Sequence, residues 1–127
     1  MPVVQSGWPV VRIRFDGNIS TEQFNDWLNE MSNMLAREQS FTVIASSSEQ
    51  VQLPEGYRQL QAVWFKASKA ALLAHCKGLA RIAGSPDELN RLDSASMHKA
   101  WPFAYFVTMD EREALNWATQ RLALCNA

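Results

Sequence analysis

Four short apolar runs recur along the chain, and each is followed by a segment with apolar residues at helical spacing. The runs cover residues 10–15, 41–45, 79–83 and 104–109. Short apolar runs that alternate with amphipathic helices are typical of strands that pair in parallel through helical connections. The pattern therefore predicts an α/β fold, with a mixed, mostly parallel sheet of four or five strands and helices packed against it.

Capping signals indicate where the helices begin and end. Ser20, with a glutamine three positions later, predicts the start of the first helix. Pro54 predicts the first turn of the second helix, where a missing amide hydrogen is tolerated. Gly78 follows that helix and is expected to end it in the left-handed conformation. Ser85, followed by proline, predicts the start of the third helix.

Composition restricts the classes of protein to consider. The 127 residues, 47% of them hydrophobic, predict a single domain over residues 1–127. A net charge of −1 argues against binding nucleic acid through a basic face. No apolar run approaches the roughly 20 residues of a membrane span, and no basic leader precedes an apolar stretch. Cys76 and Cys125 are far apart and show neither C-x-x-C spacing nor a disulfide-dense pattern, which favours reduced thiols. We therefore expect a cytoplasmic protein.

The sequence predicts no catalytic, cofactor or metal site. His75 and Cys76 are adjacent, and neighbouring helical positions point about 100° apart, which makes a poor chelate. His98 lies more than twenty positions further on and has no acidic partner at ligand spacing. Ser46 to Ser48 follow a strand, where α/β proteins often bind ligands, but the G-x-S-x-G pattern of a nucleophilic serine is absent. A hydrolase is the least favoured interpretation.

Aromatic and aliphatic residues outside the predicted core indicate an interface. Trp8 and Trp101 lie beside prolines in turns, and Val63 and Phe65 fall outside the inward stripe of the second helix. These four residues predict contact with a second copy of the chain or with another protein. The alternative is a small apolar pocket between the helices and the sheet.

Several segments together resemble a known family. They are VRIRFDG at residues 11–17 leading into TEQF at 21–24, LARIAG at 79–84, and WPF at 101–103 through EALNW at 113–117. They resemble the SpoIIAA-like family, which is related to STAS domains and to the STAS/SEC14 group of small bacterial proteins, over nearly the whole chain. The resemblance implies a non-enzymatic regulatory or protein-interaction module that forms a homodimer. The relation to the STAS/SEC14 group implies an alternative function, a carrier or sensor of a small apolar or lipid-like ligand.

One feature of the family pattern is absent. Anti-sigma-factor antagonists of the STAS class carry a phosphorylated serine in an Asp-Ser-Ser/Thr-Gly turn at a helix N-terminus. The corresponding region here is residues 46–56, which lacks that turn. Glu55 would repel a phosphate placed at the helix start. The sequence therefore assigns no phosphoacceptor.

Overall fold

The computed structural model describes residues 3–47, 51–101 and 103–125, but not the side chains of residues 3, 4, 124 and 125. Ser48 and the thiol of Cys125 therefore lie outside the described part. The strands form one sheet in chain order: β1 (Val3–Ser6), β2 (Val10–Phe15), β3 (Phe41–Ser47), β4 (Cys76–Ile82) and β5 (Tyr105–Thr108). The helices are α1 (Thr21–Leu35), α2 (Tyr57–His75), α3 (Pro86–Leu92), α4 (Ala95–Ala100) and α5 (Glu111–Cys125).

The sheet is mixed and mostly parallel, as predicted. β2 to β5 pair in parallel, and β1 alone pairs antiparallel, with β2. Alternate side chains of the central strands point to opposite faces. One face contacts α1 and α2 through Val11, Val43 and Leu79, and the other contacts α5 through Ile44 and Ala80. The α/β prediction is confirmed.

Two predicted helix starts are confirmed by their hydrogen bonds. The Ser20 hydroxyl accepts from the Gln23 amide at 3.1 Å, and the Gln23 side chain accepts from the Ser20 amide at 2.9 Å. This reciprocal capping satisfies two amides that the helix leaves unpaired. At α3 the Ser85 hydroxyl accepts from the Glu88 amide at 3.2 Å.

Three local features differ from the sequence prediction. The sequence pattern does not predict β1, because only its first two residues, Val3 and Val4, are apolar. α2 begins at Tyr57 instead of Pro54, because Gly56 adopts a left-handed φ of 79° immediately before it. The third predicted helix divides into α3 and α4, because the Ser94 hydroxyl accepts from the Met97 amide and starts a new helix.

Gly78 has a different role from the predicted one. α2 passes directly into β4, and Gly78 lies inside that strand without a positive φ. A Cβ atom at this position would lie 2.6 Å from Cη2 of Trp117 on α5. The predicted C-cap is therefore wrong: glycine is required here because the indole ring packs directly on the strand backbone.

Candidate functional site

A cavity of about 600 Å³ lies between the α1/α2 face of the sheet and the helices that cover it. α2 has 19 residues, all described, of which only Leu72 is buried. The helix therefore covers the sheet without packing closely against it. The cavity wall is mainly apolar and aromatic, and it includes Trp27, Trp64, Phe65, Leu79, Trp101 and Phe103.

The floor of the cavity is formed by strand residues that share one face of the sheet. Val43, Ala45 and Ser47 alternate along β3, and Leu79 and Arg81 alternate along β4. Ser47 is paired with Phe15, and Ala45 with Arg81, close to the carboxyl ends of the parallel strands. Ligands of open α/β sheets bind outside these ends. The cavity therefore reaches the edge where this architecture usually places a binding site.

Arg81 is a charged residue at a core-facing position of β4. Among the described residues it forms no ion pair, and its Nε is buried without a hydrogen-bond acceptor. Burial lowers the pKa of Arg81, while Tyr105 and Glu88 partly offset that effect. A guanidinium nevertheless stays protonated in proteins. The cavity floor thus carries a positive charge that forms no direct ion pair with any described residue.

Two indole nitrogens in the cavity wall also lack acceptors. Nε1 of Trp27 and Nε1 of Trp101 are buried without a partner, whereas Nε1 of Trp64 donates to the Ser32 hydroxyl at 2.8 Å. Buried donors of this kind are rare in native proteins and each call for an explanation. Together with Nε of Arg81, they are unpaired donors among the residues that line one cavity.

The cysteine in the cavity wall is buried, and burial disfavours its thiolate form. Burial raises the pKa of Cys76 to about 12, and its Sγ lies 3.6 Å from the carbonyl oxygen of Gly78. The thiolate is the reactive and metal-binding form of cysteine. Cys76 therefore behaves as a small apolar side chain.

Neither histidine belongs to a cluster of potential metal ligands in the described part of the chain. No group of three or more potential ligands among histidine, cysteine, aspartate and glutamate occurs there. The sequence analysis missed an acidic neighbour of His98. Oδ1 of Asp93 lies 2.6 Å from Nε2 of His98. No serine or cysteine in the described ranges hydrogen-bonds to either histidine.

The four residues predicted as an interface lie in different environments. Phe65 and Trp101 are brought together, with ring centroids 6.0 Å apart, and both line the cavity. Val63 is on the side of α2 opposite to Phe65 and is 73% exposed. Trp8 stacks on Phe41 at 5.4 Å, and the guanidinium of Arg37 lies over its ring. The interface stays a prediction.

Arg81 is the site residue that the sequence analysis missed. The apolar pattern places it on the third predicted strand without giving it a role. The signal was available, because Leu79 and Arg81 are two residues apart and share one face of a strand. A charge at a core-facing strand position indicates a buried partner or a ligand.

Solved structures with similar folds cover most of the chain. An uncharacterised protein of the DUF3478 family from Shewanella loihica has a TM-score of 0.64 and 13% identity over 91% of both chains. The phosphorylated form of the Bacillus cell fate determinant SpoIIAA has a TM-score of 0.59 and 14% identity over 91% of this chain and 97% of that one.

A third structure, the unphosphorylated anti-sigma factor antagonist SpoIIAA, has a TM-score of 0.54 and 15% identity over 92% of this chain and 96% of that one. The chain has a SpoIIAA-like fold. The predicted resemblance is thus confirmed at the level of the fold. No protein-family model matches the sequence, and no curated protein matches it either. In this SpoIIAA-like fold, no helix of the described residues is both long and apolar enough to cross a membrane.

Proposed function

We propose that the protein binds a small, largely apolar ligand between the sheet and α2, as a carrier or a sensor. The observation that carries the proposal is the cavity of about 600 Å³. Protein interiors are packed as densely as organic crystals, and they contain few voids larger than a water molecule. Pockets that bind small molecules measure about 300–1,000 Å³ and are lined mainly by apolar and aromatic side chains.

A non-enzymatic role is supported by the chemistry of the wall. The thiol of Cys76 stays protonated at neutral pH, and the carboxylate of Glu88 interacts with Arg91 at 3.8 Å and accepts from the Gly84 amide at 3.3 Å. None of these groups is poised for nucleophilic or acid–base chemistry. We further propose that the protein acts in the cytoplasm.

Binding of 1-dodecanol tests the proposal. This alcohol has a long apolar chain and a neutral head, and three tryptophans of the cavity wall will report its entry: Trp27, Trp64 and Trp101. We expect a saturable change in tryptophan fluorescence with one site per chain and a dissociation constant of about micromolar order. A signal that rises linearly, without saturation, would show that the cavity takes no apolar ligand.

A second candidate function is interaction with a protein partner or a second copy through the outer face of α2. Val63 and Leu73 are 73% and 51% exposed, and three exposed alanines share that side of the helix, Ala67, Ala70 and Ala74. Exposed apolar patches of this kind mark interaction surfaces. The fold of an anti-sigma factor antagonist supports a regulatory module that works by protein contact.

The Val63→Asp variant tests self-association through this face. We expect light scattering to give the mass of a dimer for the unchanged protein and of a monomer for the variant, because a charge at the centre of an apolar contact is strongly unfavourable. Val63 is preferable to Phe65 for this test because Phe65 lines the cavity. Asn116→Asp adds the same charge at an exposed position of α5 and serves as the control. Equal masses for all three proteins would contradict self-association through α2.

A further inference from the structure

Arg81 gives the cavity a chemical preference beyond hydrophobicity. Among the described residues, the charged residues of its wall are three arginines and one glutamate, namely Arg58, Arg81, Arg91 and Glu88, although the chain as a whole has a net charge of −1. The positive charge is therefore concentrated at a site that is otherwise apolar. Such concentration favours an anionic ligand, because a low-dielectric wall weakens screening by water.

The three arginines differ in the partners of their side chains. Arg91 is exposed and lies 3.8 Å from a carboxylate oxygen of Glu88. Arg58 is exposed and its Nε donates to the Tyr57 hydroxyl at 3.2 Å. Arg81 is largely withdrawn from solvent and has neither a hydrogen bond nor an ion pair to any residue that the structure describes.

Arg81 is partly buried, and a charge that is partly withdrawn from water without a protein partner is unfavourable. In Arg81 that charge is held at the inner face of β4, beside apolar Leu79 on the same strand face. A ligand with a negative head and an apolar chain would satisfy both features of the wall at once. Carboxylates and phosphates are the groups that a guanidinium binds best, through parallel hydrogen bonds.

We propose that the ligand is a single-chain amphiphile with an anionic head group, carboxylate or phosphate, and that Arg81 binds that head while the chain occupies the apolar part of the cavity. The inference rests on the proposed function, since it names the ligand class for the same cavity. It assigns Arg81 as the residue that determines head-group specificity.

Three probes with the same twelve-carbon chain test this assignment: 1-dodecanol, titrated below its solubility limit, and dodecanoate and dodecyl phosphate, each titrated below its critical micelle concentration. We expect one or both anions to bind about ten- to a hundredfold more tightly than the alcohol, since hydrogen bonds to charged groups are the stronger ones. The anion that binds more tightly identifies the head-group class. Equal affinity for all three would overturn the inference and leave the proposed function intact. Failure of all three to bind would overturn both.

Arg81→Met tests the role of the residue itself, because methionine keeps an unbranched side chain and removes the charge. We expect the variant to bind the alcohol at least as tightly as the unchanged protein does, and to lose the preference for anions. Arg91→Met is the matched control, and it should keep most of that preference. If Arg81→Met retains the preference, the assignment of Arg81 is wrong. Should Arg81→Met fail to fold, the comparison of the three probes with the unchanged protein still decides whether the head is anionic.

Discussion

Replacing Ala45 with phenylalanine will weaken the binding of 1-dodecanol roughly tenfold or more and leave the protein folded. Ala45 lies on the floor of the cavity, so the larger side chain will occupy space that the ligand needs. A tenfold loss corresponds to about 1.4 kcal/mol of binding free energy. We expect the free energy of unfolding to stay within about 1 kcal/mol of the unchanged protein, because the new ring fills existing space. Fluorescence titration and chemical denaturation measure the two quantities.

Ala80 provides the matched control for this substitution. It is paired with Ile44 on the neighbouring strand, is fully buried, and faces α5, where it packs with Ala114 and Ala118. The change Ala80→Phe should therefore overpack a filled interior and lower the stability by about 3 kcal/mol or more. If the two phenylalanine variants lose the same stability, the α2 side of the sheet is as tightly packed as the α5 side, and the cavity does not exist.

Gly78→Ala will lower the free energy of unfolding by about 1–3 kcal/mol. The added methyl group would lie 2.6 Å and 3.0 Å from two ring carbons of Trp117, and 3.3 Å from the carbonyl oxygen of Ala104. The indole cannot move away freely, because it stacks on Phe106 with ring centroids 5.3 Å apart. Thermal and urea denaturation should therefore show a clear loss of stability.

Two comparisons separate this contact from a general effect of alanine. A methyl group added at Gly84 would meet no atom within 4 Å beyond its chain neighbours, and Gly84 has no positive φ, so Gly84→Ala should be neutral or slightly stabilising. In a Trp117→Leu background, Gly78→Ala should lower the stability by less than it does in the unchanged protein. The same loss in both backgrounds would show that Trp117 is not the cause.

Much of the fold follows from local sequence signals. The apolar runs locate β2 to β5, and Ser20 and Ser85 fix two helix starts, because strand burial and helix capping depend on residues close in sequence. β1 was not predicted because it has only two apolar residues, which are adjacent and form no recognisable run. The predicted role of Gly78 is wrong because Trp117, which determines the true one, is distant in sequence and meets it only in the folded chain.

The cavity could be predicted less well than the fold. Helical spacing indicates which residues face inward, but it does not give the distance between the helix and the sheet. That spacing places Phe65 outside the inward stripe of α2, yet Phe65 lines the cavity with Trp64. The alternation of Leu79 and Arg81 on β4 was the one clear sequence signal of a polar position in this wall. The sequence alone could not show that this arginine forms no ion pair with any described residue, which is the observation that gives Arg81 its proposed role.

Native mass spectrometry of the protein, purified gently from its own cells, tests the central claim most directly. We expect the unchanged protein to retain a small molecule at one per chain, and the Ala45→Phe variant prepared in parallel to lack it. The additional mass would also show whether the ligand carries a carboxylate or a phosphate. An unchanged protein that carries no additional mass and binds none of the three twelve-carbon probes would contradict the claim that the cavity is a ligand site.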